Sequence, residues 1–189
     1  RDYTDSTLRV EVDVDNRSGA DTNYTIEAEL LDMQGQKVAD LSPAKGAVKN
    51  GENIRTEIKA QVKNPALWSA EKPNLYRLML YLKNERGDVT ETISRKIGFR
   101  EVCLEKGRFL VNGMPVKLKG VNRHESQHAN GHTVTEEECR QELLIMKRGN
   151  INHIRNSHYP QVDRFYEMCD EMGFLVWIEA NIYCSKPSN

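Results

Sequence analysis

The 189 residues predict a two-part chain, multidomain β plus α/β, and three observations carry that prediction. Apolar and polar residues alternate through most of the first hundred positions, the period-two pattern of half-buried strands. Turn signals interrupt that alternation at Asn16-Arg17-Ser18-Gly19, Gln34-Gly35, Asn50-Gly51 and Glu85-Arg86-Gly87. After Gly98 short apolar strands alternate with helical stretches, β-α-β-α-β, the order of a parallel sheet with right-handed crossovers.

The elements follow in sequence. Leu8, Val10, Val12 and Val14 alternate with Arg9, Glu11 and Asp13. Tyr24, Ile26, Ala28 and Leu30 form a second run, and Val38 to Leu41 a short third. Ile54, Thr56, Ile58, Ala60 and Val62 follow the Asn50-Gly51 turn; Tyr76, Leu78, Leu80 and Leu82 come next, then Val89 to Phe99. Six or seven such strands without a helical period argue for an immunoglobulin-like β-sandwich over residues 1–100, although no Cys…Trp…Cys pattern is present.

Residues 101–189 read differently. Phe109-Leu110-Val111, Asn112-Gly113 and Val116 to Leu118 spell a tight hairpin. Val116 to Val121 is the first parallel strand. Thr135 with Glu138 makes a capping box, Cys139, Leu143 and Met146 share a helical face, and Gly149 ends the helix. Ile151 to Arg155 is the second strand. A second helix from near Pro160 is expected to bury Val162, Phe165, Tyr166, Cys169 and Met172 before Gly173, and Phe174 to Ile178 is the third strand.

Composition excludes several classes. Lys+Arg (27) nearly balance Asp+Glu (28), so no clustered cationic excess favours nucleic acid or a membrane surface. No apolar run approaches the roughly 18–20 residues of a membrane span. Cys103, Cys139, Cys169 and Cys184 have no CxxC spacing and are expected to be free thiols. The opening Arg1-Asp2-Tyr3-Thr4-Asp5 carries neither Met nor a signal segment, so we expect a chain cut from a longer one.

Polar residues gather at the C-terminal ends of the three parallel strands: Asn122-Arg123-His124-Glu125, Arg155-Asn156-Ser157-His158-Tyr159 and Glu179-Ala180-Asn181. Ligands bind at that end of parallel sheets, so two histidines, an arginine and two carboxylates are expected to line a polar substrate pocket. His124-Glu125-Ser126-Gln127-His128 also matches the zinc-peptidase pattern H-E-x-x-H, which requires both histidines on one helix face. The following Ala129-Asn130-Gly131 and the cap at Thr135 speak against a helix there.

Gly98-Phe99-Arg100, Asn112-Gly113-Met114-Pro115, Lys119 to Glu125, Arg155 to Pro160 and Glu179-Ala180-Asn181-Ile182 together resemble glycoside hydrolase family two. Asn64 to Ser69 and Pro73-Asn74-Leu75-Tyr76 are similar to its sandwich domain. Asn-Arg-His-Glu and Glu-Ala-Asn-Ile resemble its β-galactosidases more than its β-glucuronidases; a non-catalytic carbohydrate-binding module is a further alternative. The resemblance implies that residues 101–189 begin an incomplete (β/α)8 TIM barrel of about three strands and two helices. It implies a retaining hydrolase of terminal β-D-galactosyl residues, whose acid/base and nucleophile Glu lie beyond this chain, leaving no catalytic residue in it and the isolated chain inactive. His124 and His158 would bind the galactosyl unit, Arg155 would orient the nucleophile, and Asn122, Glu179 and Asn181 would support them. The family's magnesium-binding Glu and His would fall where this chain has Tyr183 and Ser185, so Mg2+ is expected only in the full-length protein. Self-association through an open barrel edge is expected as well.

Overall fold

The computed structural model describes residues 3–181. Its chain divides into two compact units, Arg1–Ala66 with Leu75–Phe99 and Leu67–Asn74 with Arg100–Asn189. The division read from sequence at residue 100 passes over Leu67–Asn74, a segment that clusters with the second unit.

Among the described residues the first unit holds seven strands: β1 (Asp5–Asp15), β2 (Thr22–Leu31), β3 (Lys37–Ala39), β4 (Ala44–Val48), β5 (Asn53–Lys63), β6 (Tyr76–Lys83) and β7 (Val89–Ile97). All its pairings are antiparallel: β1 with β5 in one sheet, and β3-β2-β6-β7 with β4 also on β2 in the other. The register opposes Leu8 to Ala60 and Val10 to Ile58, so the alternating residues of both strands bury one face while Arg55 donates to Asp13 across the other at 2.8 Å. Ile26, Leu30, Ile58 and Val62 are each 2% exposed or less. Strand β4 has no counterpart in the sequence reading. Its Gly46 breaks the apolar alternation because the Tyr24 ring lies over it; a Cβ there would sit 2.6 Å from the phenol oxygen.

The second unit begins with a three-stranded meander, β8 (Val102–Glu105), β9 (Arg108–Val111) and β10 (Met114–Pro115). Asn112 and Gly113 turn between β9 and β10 with φ 51° and 74°, both left-handed as a type I′ turn requires. The return arm is Met114–Pro115, not Val116 to Leu118, and β8 is an additional strand. Then come β11 (Gly120–Arg123), α1 (Glu136–Arg148), β12 (His153–Asn156), α2 (Asp163–Met172) and β13 (Leu175–Trp177), with β11-β12-β13 parallel.

Thr135 caps α1 through the full capping box: its hydroxyl accepts from the Glu138 amide and the Glu138 carboxylate accepts from the Thr135 amide at 2.8 Å. Cys139, Leu143, Ile154, Phe165, Met168, Cys169 and Phe174 form the core between sheet and helices. Helix α2 starts three residues later than Pro160 suggests, which leaves Val162 62% exposed and puts Met168 in the core instead. Arg164 joins the helices, donating to Glu136 at 2.8 Å and to Glu171 at 2.9 Å. Cys103, Cys139 and Cys169 are free thiols, and burial pushes the Cys169 thiol up to about 12; Cys184 lies outside the described residues. Among the described residues no helix is long and apolar enough to cross a membrane.

The segment Leu67–Asn74 is bound into this second unit by named groups. The buried Trp68 indole donates to the Asp170 carbonyl at 2.8 Å, and the Arg100 guanidinium stacks over its ring at 4.4 Å. Asn112 donates to the Trp68 carbonyl at 3.0 Å, and Lys147 donates to the carbonyls of Ala70 at 2.7 Å and Gly173 at 3.0 Å. Burial lowers the Lys147 ammonium from its ordinary value, against an opposing pull from the nearby Glu71 carboxylate.

Candidate functional site

Successive residues of a strand point to opposite faces, and that parity assembles the site. On β12, Ile154 and Asn156 are both 0% exposed, with Ile154 in the core under the helices. His153 and Arg155 therefore occupy the other face. On β11, Val121 packs against the same core and Arg123 is turned the same way, leaving Asn122 beside Arg155. The register sets Asn122 opposite Arg155 and Arg155 opposite Trp177. Glu179 follows two residues past the end of β13, outside the strand itself.

Glu179 is the hub. Its Oε1 accepts from Arg155 Nε at 2.7 Å and also pairs with Arg155 Nη2. Its Oε2 lies 2.8 Å from His158 Nδ1. Arg155 Nη1 reaches Asn122 Oδ1 at 3.4 Å, a long contact. The His124 and His158 rings meet edge to face, centroids 5.2 Å apart and planes at 79°. Five expected site residues, Asn122, His124, Arg155, His158 and Glu179, thus form one connected group at the C-terminal ends of three parallel strands. Asn181 is exposed, and among the described residues none of these contacts involves it. The hydrogen bond from His158 does most to hold the Glu179 carboxyl below its usual range; desolvation opposes it, and the hydrogen bond and charge of Arg155 add to the lowering.

The neighbouring arginine has another role. Arg123 is 3% exposed and faces the helices, where it donates to Glu142 at 2.9 Å from Nε and to Gln161 at 2.8 Å from Nη1. Its guanidinium also covers the Phe165 ring at 4.6 Å. This satisfied buried cation props the far side of the strand ends. Sequence reasoning also assigns Tyr166 only to packing, yet its hydroxyl accepts from Asn156 Nδ2 at 3.1 Å and from the Gln161 amide at 2.8 Å. Those bonds tie the loop carrying His158 to α2.

The zinc-peptidase alternative fails on local structure. Residues 124–128 are loop, closed by a bridge between Gln127 and Gly131. His132 Nδ1 engages the Glu125 carbonyl at 2.8 Å, and His128 is held by Gln127 Oε1. No helix face joins the histidines, and among the described residues no group of three or more His, Cys, Asp or Glu could hold a metal ion. Ile182, Tyr183 and Ser185, on which the magnesium expectation rests, lie outside the described residues.

Comparison with known proteins follows the same two-part division. The family model described as "Glycosyl hydrolases family 2" matches residues 1–100, and "Glycosyl hydrolases family 2, TIM barrel domain" matches residues 102–187. A β-galactosidase of Priestia megaterium is 39% identical over 182 residues, 95% of this chain and 18% of the relative. A β-galactosidase of Aeromonas hydrophila is 39% identical over 184 residues, again 95% and 18%. Among solved structures, a Bacteroides uniformis β-glucuronidase superposes with TM-score 0.87 at 31% identity, over 94% of this chain and 21% of that one. A Parabacteroides merdae β-glucuronidase gives 0.79 at 28%, over 95% and 22%. The chain spans under a fifth of the length of these curated relatives.

Proposed function

Because this chain belongs to glycosyl hydrolase family 2, an immunoglobulin-like sandwich followed by part of a TIM barrel, we propose that it contributes the opening of the sugar site of a retaining β-galactosidase. The carrying observation is the connected group His124, Arg155, His158 and Glu179 at the strand ends, in a chain 39% identical to two β-galactosidases. The alternative, a β-glucuronidase, draws on the similarity to solved β-glucuronidases.

Retaining hydrolysis needs an acid/base and a nucleophilic carboxylate about 5–5.5 Å apart. Glu179 is engaged by Arg155 and His158, a geometry suited to orienting them rather than to attack. In this reading the two catalytic carboxylates come from other parts of the full-length protein. His124 and His158 then hydrogen-bond hydroxyls of the galactosyl ring, most tightly as it flattens toward an oxocarbenium-like state. Arg155, with Asn122 beside it, fixes the polar wall against which the nucleophile is set.

The test is turnover of chromogenic β-galactosides and β-glucuronides by the full-length protein, wild type and His158→Ala. Preference for the galactoside, with kcat/KM lowered by roughly 30- to 1,000-fold in the variant through the loss of about 2–4 kcal/mol of transition-state hydrogen bonding, is the expected result. Glucuronide preference would replace the substrate; unaltered kinetics would remove His158 from the site. The 189-residue chain alone is expected to turn over neither substrate.

A further inference from the structure

The loop that carries His158 is gripped at both ends by buried groups. At its start the Ser157 amide donates to the Arg123 carbonyl at 2.9 Å. At its end the Gln161 amide donates to the Tyr166 hydroxyl at 2.8 Å, while the Gln161 side-chain oxygen accepts from the Arg123 guanidinium at 2.8 Å. The same hydroxyl accepts from Nδ2 of Asn156, the last residue of β12, at 3.1 Å. One oxygen thus joins the strand end from which the loop departs to the point where it turns into α2. Asn156 is 0% exposed, Ser157 1% and Gln161 8%, and Asn156 Oδ1 is buried without a partner among the described residues. Bulk water is therefore a poor substitute for the bonds to Tyr166. Between the two gripped ends lies His158, whose Nδ1 is 2.8 Å from Glu179 Oε2. That contact crosses from the loop to the chain beyond β13, so it depends on the path the loop takes.

From this arrangement we infer that Tyr166 is a positioning residue: its hydroxyl closes the loop 157–160 against the end of β12 and so sets where His158 meets Glu179. The ring itself needs only packing. It lies edge to face with Phe165, centroids 5.8 Å apart and planes at 74°, a need that phenylalanine would meet equally well. What phenylalanine lacks is an acceptor for two buried N–H groups. Arg123 completes the clamp from β11, its carbonyl at the start of the loop and its guanidinium at the end. Two strand ends and one helix, rather than the loop's own residues, therefore fix the approach of the imidazole. The clamp follows from the contacts of this chain alone; its bearing on a sugar rests on the functional reading above.

The first test is carboxyl-resolved 13C NMR of Glu179 in the whole 189-residue chain, since the largest downward pull on that carboxyl is its hydrogen bond with His158. Tyr166→Phe should move the Glu179 midpoint up toward the ordinary 4.5, with backbone amide signals of Leu143 and Ile154 reporting an intact core. In a His158→Ala background the same substitution should leave the midpoint in place, because no contact remains to be loosened. Asn156→Ala removes the strand-end partner of the hydroxyl, leaves Tyr166 itself intact and should act in the same direction; it decides alone if Tyr166→Phe does not fold. An unmoved midpoint in either folded variant, or equal shifts with and without His158, would overturn the inference. In the full-length protein Tyr166→Phe should lower galactoside kcat about 5- to 30-fold with KM changed less than about twofold, the pattern of a contact that tightens in the transition state. In the His158→Ala background the further loss should stay under about threefold. A hydroxyl with a purely structural role would cost the same in both backgrounds. Absence of galactosidase activity in the wild type would defeat the functional reading while leaving the NMR result standing.

Discussion

Gly173 and Ala70 approach so closely that a Cβ on the glycine would overlap the Ala70 carbonyl oxygen and lie 2.9 Å from its carbon. Gly173 also has φ +78° and ends α2 in the left-handed conformation, so two independent constraints require glycine at one position.

Gly173→Ala should therefore destabilise the second unit by roughly 2–4 kcal/mol, about 1 from the left-handed backbone and the remainder from overlap that cannot relax. Trp68 is 1% exposed and Trp177 59%. In a Trp177→Phe background Trp68 fluorescence isolates the Leu67–Asn74 segment. Its emission should shift red at lower urea in the variant, and an unchanged midpoint would contradict the close approach.

Arg123 should behave as a structural cation. Arg123→Ala removes the partner of Glu142 and Gln161 and uncovers the Phe165 ring. Glu142 retains 33% side-chain exposure, which moderates the cost toward the low end of the range for breaking a buried pair, about 3 kcal/mol. Arg123→Lys cannot reproduce the fork and should recover less than half of that in urea melts.

Two carboxyls should give opposite acid responses. Glu179 titrates below its ordinary 4.5, so its stabilising contribution is present above that pH and disappears as pH falls through the lower folded value. Asp170 is raised above its ordinary 3.8, chiefly by burial; it opposes folding at neutral pH and ceases to do so as pH falls through its folded value. Stability measured from pH 7 to 3 should fall less steeply in Glu179→Gln than in wild type. Asp170→Asn should be at least as stable as wild type at pH 7, and should lose more than wild type on acidification.

The exposed edge at β13 should self-associate. Among the described residues β13 pairs only with β12, and Trp177 and Ile178 are 59% and 55% exposed, a template for edge pairing. Light scattering at micromolar concentration should detect a dimer or larger species, and Ile178→Lys should suppress it. A wild-type chain that stays monomeric would show that this edge is shielded.

Much of this architecture is legible in the sequence because period-two alternation survives wherever one strand face is wet. Strands β1, β2, β5 and β6 lie where the alternation puts them, and Thr135 caps α1 as its spacing with Glu138 requires. Legibility fails where tertiary contacts override local pattern. Gly46 conceals β4 because the space for its side chain is filled by Tyr24. Val162 has the right apolarity for α2 but precedes its first turn. At the candidate site, clustering at three strand ends singles out His124, Arg155 and His158, yet says nothing about which face each residue takes. Arg123 and Asn122 are neighbours in sequence and opposites in space, and only strand parity separates the structural arginine from the site arginine. The union of Arg155 with Glu179 needs the parallel register, a long-range fact without a local signal.

The eight residues Leu67–Asn74 have a consequence for inheritance. They leave the first unit between β5 and β6, deliver Trp68 and Ala70 to the second, and return. A recombination event at residue 100 would transplant a barrel segment without the peptide that fills its Trp68 and Gly173 seats, or a sandwich carrying an orphaned tryptophan. Exchange between relatives can preserve both partners only if the connection and the barrel travel together, or if Trp68, Arg100, Lys147 and Gly173 already agree in donor and recipient. The two units look like separable cassettes, yet this loop binds them into a single unit of descent.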